Sequence, residues 1–261
     1  MTKFIAKSYW EKTHRQYPGF KAVGYVDLGE SFNWWMYRVR EKVFLELIKK
    51  LPLNKDIKIL DLGSGTGFYP KLFQKLGFKD ITASDFSNLA ILKLKKIPGI
   101  KVRKINLGSN RIPAQKYDLI SCFDILFHLV DDRLYQRAFV NIGRLLKTKG
   151  YFIFSENLLP RGEFRGLHQV LRNQKFIFGH LKKNHFKIIA RQPVFFLMNN
   201  PVSSDSFFLK SYWFWLLLIL SRLPLMGKIL GPLLYPLEIR LIKTLKTGPS
   251  TEIIITQNLS S

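Results

Sequence analysis

The sequence predicts an α/β protein with a doubly wound, mostly parallel sheet, an N-terminal arm and a hydrophobic insert before the last strand. Three observations predict it. Short β-rich runs alternate with helical stretches from residue 58 to about 198. The first of these runs ends in a glycine loop that leads into a helix. A final apolar run, TEIIIT at 251–256, stands apart from the others and can return to the sheet. Strand–helix alternation is the pattern of a parallel sheet covered on both faces.

Each element has its own signal. Residues 1–33 are polar and aromatic, punctuated by Pro18-Gly19, Gly24 and Gly29, and are expected to form an irregular arm. From 34 to 50 the period becomes helical, with Trp35, Val39, Val43 and Leu47 every four residues. Asn33 is placed to cap that helix and Pro52 to end it. Strands are expected at 58–62, 80–84, 100–105, 117–122 and 151–155. Helices are expected between them at 69–76, 89–97 and 133–146. Asp131 and Asp132 suit the N-terminus of the third of these helices, and Arg144 and Lys147 its end. A further helix is expected at 173–184, and one or two strands at 186–198. Residues 207–246 break the alternation. Tyr212 to Leu220 is continuously aromatic or aliphatic, and Pro224, Pro232 and Pro236 interrupt the residues after it. The expected organisation is an arm and helix (1–53), a binding domain (54–200 with 249–261) and the insert (201–248).

Composition narrows the function classes. The chain has 261 residues, of which 47% are apolar, enough for a real core and against wholesale disorder. Lys and Arg number 42 against 18 Asp and Glu, a net charge of +24. Yet no basic run exceeds two residues in succession. A diffuse basic surface favours anionic partners without choosing among RNA, acidic small molecules and lipid headgroups. The single cysteine, Cys122, excludes an internal disulfide and a Cys-rich zinc framework, and fits a reducing, cytoplasmic setting. The first residues lack the long apolar stretch of a secretory signal. No metal-ligand spacing occurs, so no metal is expected.

The strongest chemical signal is ILDLGSGTG at 59–67. Gly63, Gly65 and Gly67 permit a tight turn and close approach of backbone to a ligand. The spacing is G-x-G-x-G. The dinucleotide fingerprint G-x-G-x-x-G would need glycine at 68, where Phe68 stands. Asp85 lies 20 residues after Gly65, at the end of the next strand, where a carboxylate can accept from both hydroxyls of a ribose. Phe86 is next to it and can lie against an adenine ring.

In order along the chain, ILDLGSGTG, ITASDFS, KYDLISCFDILFHL and LLKTKGYFIFSEN resemble the successive motifs of class I S-adenosylmethionine-dependent methyltransferases. The resemblance covers about 55–198, with TEIIIT as the last strand. It implies a seven-stranded Rossmann-like sheet, antiparallel only at its final strand, and S-adenosylmethionine as cofactor. It implies that Asp61, Gly63, Ser64, Gly65 and Gly67 surround the methionine part of the cofactor and that Asp85 holds the ribose. Cys122 and Phe123, at the start of the fourth-strand motif, would lie beside it. Where many relatives carry an acid toward the adenine amino group, this chain has Asn106, whose amide oxygen can accept the same bond.

Methyl transfer from a sulfonium is an in-line displacement that needs alignment and exclusion of water. An alcohol acceptor also needs a base. The candidates are His128 just past the fourth strand, His168 in a loop with Arg161, Arg165 and Arg172, and Glu156 at the end of the fifth strand. The arginine-rich loop can recognise an anionic acceptor. Cys122 lacks the Pro-Cys context of covalent pyrimidine methylation, and no [DNS]-P-P-[YFW] tetrapeptide occurs. The arm's aromatics can cap the site, although Trp35 reads better as packing.

The expectation is a cytoplasmic methyltransferase acting at oxygen on a small, glycan or lipid-linked acceptor. Residues 207–246 of its insert would contact a membrane peripherally. Its longest uncharged stretch, 211–221, is too short to span a bilayer. An RNA methyltransferase and a non-catalytic membrane-associated module with the same fold are the alternatives.

Overall fold

A computed structural model describes residues 6–17 and 24–260, without the side chains of residues 6, 7 and 14. Pro18-Gly19 lies outside the described residues, as does the side chain of His14. Nine strands are described: β1 (Lys58–Leu62), β2 (Asp80–Asp85), β3 (Lys101–Lys104), β4 (Tyr117–Cys122), β5 (Leu146–Asn157), β6 (Phe164–Arg165), β7 (Val170–Leu171), β8 (Phe186–Pro193) and β9 (Thr251–Asn258). Seven of them form one sheet in the order β3-β2-β1-β4-β5-β9-β8, and β6 pairs with β7 apart from it. Within the sheet only β9 runs antiparallel to its neighbours, pairing with β5 and with β8. The strand order reverses at β1, with β2 on one side of it and β4 on the other, so ligands are expected at the carboxyl ends of these strands.

Helices cover both faces. On one, α2 (Gly29–Lys49) and α3 (Phe68–Lys75) share a core with α7 (Phe207–Arg222) and α8 (Gly227–Thr244). On the other, α5 (Asp132–Leu145) and α6 (Gln174–Lys183) bury Tyr135, Phe139 and Ile177 against Phe152 and Phe154. The helix starts obey their cap residues. Ser87 accepts from Ala90 N–H ahead of α4 (Asn88–Leu94), Asp131 from Arg133 N–H, and Asn173 from Phe176 N–H.

The arm departs from expectation. It carries α1 (Ala6–Gln16), and α2 begins at Gly29 rather than after Asn33. Asn33 is therefore not a cap. Its buried amide clamps the entry to the helix, accepting from Tyr25 N–H at 3.0 Å and donating to Tyr25 O and Gly29 O at 2.6 and 2.7 Å. Satisfying three backbone groups this way makes an interior position better for Asn33 than the helix end. Beyond β8, residues 194–199 are irregular, so 186–198 holds one strand.

The prolines of the insert do not break its second helix. Pro232 and Pro236 lie inside α8, four residues apart and so on neighbouring sides of one face. Gly231 lets that helix approach α2 closely, since a Cβ there would fall 2.1 Å from the Trp35 ring. Trp35 packs between the two helices, 5.4 Å from the Tyr235 ring. Among the described residues no single helix is long and apolar enough to cross a membrane; α7 and α8 together are bent by 116°.

Candidate cofactor and acceptor site

The glycine loop is built as a cradle. Gly63, Gly65 and Gly67 all have positive φ, at 71°, 51° and 82°. A Cβ on Gly63 would fall 2.4 Å from the Ile125 side chain, and one on Gly67 would fall 2.2 Å from Ile97. Backbone strain and contact thus both demand glycine there. Hydrogen bonds then hold the loop to the next strand. Ser64 N–H donates to Ser84 O at 2.8 Å, and the Ser64 and Ser84 hydroxyls both donate to Asp61 O. The Asp61 carboxylate accepts from Ser121 Oγ at 2.6 Å and so ties β1 to β4. Burial pushes its pKa up to about 7. Neither Asp61 nor Gly67 lines the cavity; they shape the loop that does.

Asp85 is oriented by the same loop. Its two oxygens accept from Gly65 N–H at 3.0 Å and Ser87 N–H at 2.9 Å. Gly63, Ser64, Gly65, Asp85, Phe86 and Asn106 together line one end of a cavity of about 1410 Å³. Asn106 Oδ1 accepts from Gly108 N–H at 3.1 Å and keeps a second lone pair. Phe123 also lines the cavity and stacks on Tyr69 with ring centroids 3.9 Å apart. Cys122 points the other way. It is fully buried in the apolar cluster under α5, away from the cavity, and burial pushes its thiol up. Strand alternation explains the split, since successive side chains face opposite sides of a sheet.

The other end of the cavity brings His128 and His168 together. Their rings lie 5.7 Å apart, and His128 Nδ1 is 2.8 Å from His168 O. That bond requires the proton on Nδ1, which leaves Nε2 as an acceptor. Burial lowers the His128 pKa to about 4, so the ring is neutral at physiological pH. Partial burial also lowers His168. From α1, Trp10 sits edge-on to His128 at 4.7 Å and Tyr9 stacks on His168 at 5.0 Å. Glu156 is not with them. It is a buried residue of β5, accepts from Tyr135 Oη at 3.1 Å, has its pKa pushed by burial to about 8, and does not line the cavity.

The arginine-rich loop is the small hairpin of β6 and β7. Asp132 takes up two of its arginines, pairing with Arg165 at 2.5 Å and Arg172 at 2.7 Å. Of the three, only Arg161 lines the cavity. The expected cationic trio facing an acceptor is therefore reduced to one. The ion pairs instead hold the hairpin that carries His168.

Asp124 stood in the fourth-strand motif without a role of its own and Arg40 was not singled out; both line the cavity. Asp124 has φ 57°, an uncommon conformation for a non-glycine residue. Its Oδ2 pairs with Arg40 Nη1 at 2.6 Å, and its Oδ1 accepts from Ser155 Oγ at 2.9 Å. Arg40 lies 5.0 Å from the Phe195 ring. An acid beside Phe123 was visible in the motif, but its pairing with a helix residue 84 positions earlier was not.

These residues fit S-adenosylmethionine. The glycine loop brings bare backbone of Gly63 and Gly65 to the cavity wall, a carboxylate stands at the end of β2, and Phe86 and Asn106 line the same end. When bound, the cofactor supplies an electrophilic methyl group. Fold and site together define a class I S-adenosylmethionine-dependent methyltransferase. The methyltransferase-domain family model matches residues 35–187, and the chain belongs to that family. Human EEF1A lysine methyltransferase 2 is 24% identical over 209 residues, covering 71% of this chain and 85% of that protein. Ribosomal protein L11 methyltransferase of Lactobacillus gasseri is 30% identical over 132 residues, 47% of this chain and 40% of that one. Among solved structures, an S-adenosylmethionine-dependent methyltransferase from Clostridium acetobutylicum superposes with TM-score 0.55 at 14% identity, covering 86% of this chain and 92% of that one. Coclaurine N-methyltransferase gives TM-score 0.55 at 11% identity, over 84% and 70%.

Proposed function

We propose that this enzyme transfers the methyl group to oxygen on a small, glycan or lipid-linked acceptor close to a membrane surface. The observation that carries the reading is the neutral His128 at the cavity wall, with Nδ1 engaged by His168 O and Nε2 left to accept an alcohol proton. The cavity supports it. Its volume of about 1410 Å³ exceeds the roughly 300–1,000 Å³ of a single small-ligand site, which leaves room for two reactants. Beyond the glycine loop its walls include Trp10, Phe127, Leu159, Phe164 and Leu171, which suit an acceptor with apolar surface. The basic residues are spread along the chain with no run longer than two, which weighs against RNA as the acceptor.

A protein acceptor is the second reading, favoured by the names of the two curated relatives, one of which specifies lysine. One experiment separates them. The protein is incubated with methyl-labelled S-adenosylmethionine and host extract, which is then resolved into lipid, glycan, small-molecule, RNA and protein fractions. Label in the lipid, glycan or small-molecule fraction supports the first reading. Label in protein supports the second, and label in RNA overturns both.

A further inference from the structure

We propose that the outer face of α7 and α8 is a docking surface for an anionic lipid leaflet, and that it sets the rim of the acceptor cavity at headgroup level. The inference deepens, and rests on, the membrane-proximal reading above.

The two helices bury one side only. Trp213, Leu216 and Leu220 of α7, with Gly231, Glu238 and Ile242 of α8, face the core shared with α2. The other side is apolar and open. Phe207 and Phe208 are 77% and 83% exposed, Trp215 is 59% exposed, and Leu225 between the helices is 73% exposed. Ile229, Leu233 and Leu237 continue that face along α8 at four-residue spacing, each at least half exposed. Large side chains this exposed, clustered on one pair of helices, mark an interaction surface rather than scattered surface residues.

Charge selects the occupant. Residues 207–246 hold six cations: Lys210, Arg222, Lys228, Arg240, Lys243 and Lys246. Their only acid, Glu238, is fully buried and accepts from Phe196 and Leu197 N–H. Asp205 just ahead of α7 lies 3.9 Å from Lys210 and Glu46 of α2 lies 3.9 Å from Lys243, so cations remain in excess on an apolar face, which complements a leaflet of acyl chains under anionic headgroups. A second copy of this chain would bring the same cations together. The 116° bend and the short uncharged stretches favour partial insertion in the plane of the leaflet over crossing it.

Position links this face to the site. Asp205 and Lys210 line the cavity, and Phe207 and Phe208, the most exposed phenylalanines among the described residues, lie between them in sequence. The apolar face therefore begins at the cavity rim. An acceptor whose polar end lies among the headgroups reaches the site without leaving the leaflet.

Flotation tests the proposal. The full-length protein is mixed with phosphatidylcholine vesicles containing or lacking phosphatidylglycerol, at low and high salt. The expected result is co-flotation with the anionic vesicles, weakened by salt. The double variants F207D/F208D and L225D/I229D should each lose roughly tenfold or more of that binding. All four positions are exposed, so S-adenosylmethionine affinity by calorimetry, which should be unchanged, reports an intact fold. Three results overturn the proposal: no co-flotation of the wild type, variants that float equally well, or variants that change only the oligomeric state on size exclusion. Labelled-extract assays keep the two proposals distinct. Label in a lipid or glycan fraction without vesicle binding leaves the acceptor reading standing. Vesicle binding with label only in protein leaves the docking surface standing.

Discussion

Asp85→Asn tests whether the carboxylate at the end of β2 holds the cofactor. The substitution keeps the size of the side chain and replaces one carboxylate oxygen with an amide nitrogen. In the native loop both oxygens accept from backbone, Gly65 N–H at 3.0 Å and Ser87 N–H at 2.9 Å, in a side chain only 6% exposed. The amide can satisfy one of these donors and opposes the other. The ribose hydroxyls also lose a charged acceptor. Hydrogen bonds to charged groups contribute about 1.5–3 kcal/mol. At about 1.4 kcal/mol per factor of ten, the dissociation constant for S-adenosylmethionine should rise roughly 10- to 150-fold. Titration calorimetry measures it directly, and a thermal melt without cofactor shows whether the fold survives. An affinity within twofold of wild type in a folded variant would mean that Asp85 serves only the loop and that the ribose lies elsewhere.

Three other outcomes are expected. Replacing His128 by Ala should slow methyl uptake by the labelled acceptor fraction by roughly a hundredfold or more while S-adenosylmethionine affinity holds; Glu156→Gln, away from the cavity, should leave that rate near wild type, and the reverse order of effects would reassign the base. Gly231→Ala places a methyl group 2.1 Å from Trp35 and should cost about 1–3 kcal/mol, read as a lower denaturant midpoint. Stability should fall as pH rises from 6.5 to 8. Burial raises Asp61 and Glu238 to about 7 and Glu156 to about 8, so their contribution is full below the ordinary carboxylate range and is lost as pH climbs through these raised values. His128, lowered by burial to about 4, acts in the opposite sense between that value and its ordinary 6.5, so above 6.5 it no longer offsets the acids. A melting temperature that is flat or rises over 6.5–8 would contradict the buried acids.

The sheet and the cofactor loop were legible because their signals are local. Glycines at 63, 65 and 67 stand where the backbone needs positive φ and no Cβ, and a strand precedes them. Ser87, Asp131 and Asn173 start helices through bonds to residues two or three positions on. Short apolar runs located the seven strands of the main sheet, and the helical period located helices between β1 and β8 but not α7 and α8. The proline count of the insert misled, because a helix packed on α2 tolerates Pro232 and Pro236 that an isolated one would not. Asn33 likewise became a clamp only because Tyr25 folds back beside it.

The site was decided by distance in space. The sequence places His128 and His168 forty residues apart, and only the hairpin held by Asp132 brings His168 O to His128 Nδ1. The same ion pairs take up two of the arginines that composition alone assigned to an acceptor. Glu156, a candidate base, and Cys122, a candidate cofactor contact, are both buried away from the cavity by the pleat and the packing on β4 and β5. Arg40 meets Asp124 because α2 crosses the carboxyl end of β4. Local chemistry thus determined which residues turn, cap and alternate. Packing of distant segments determined which charges are neutralised, which bases are desolvated and which side chains reach the cavity, because those energies depend on neighbours that no short stretch of sequence contains.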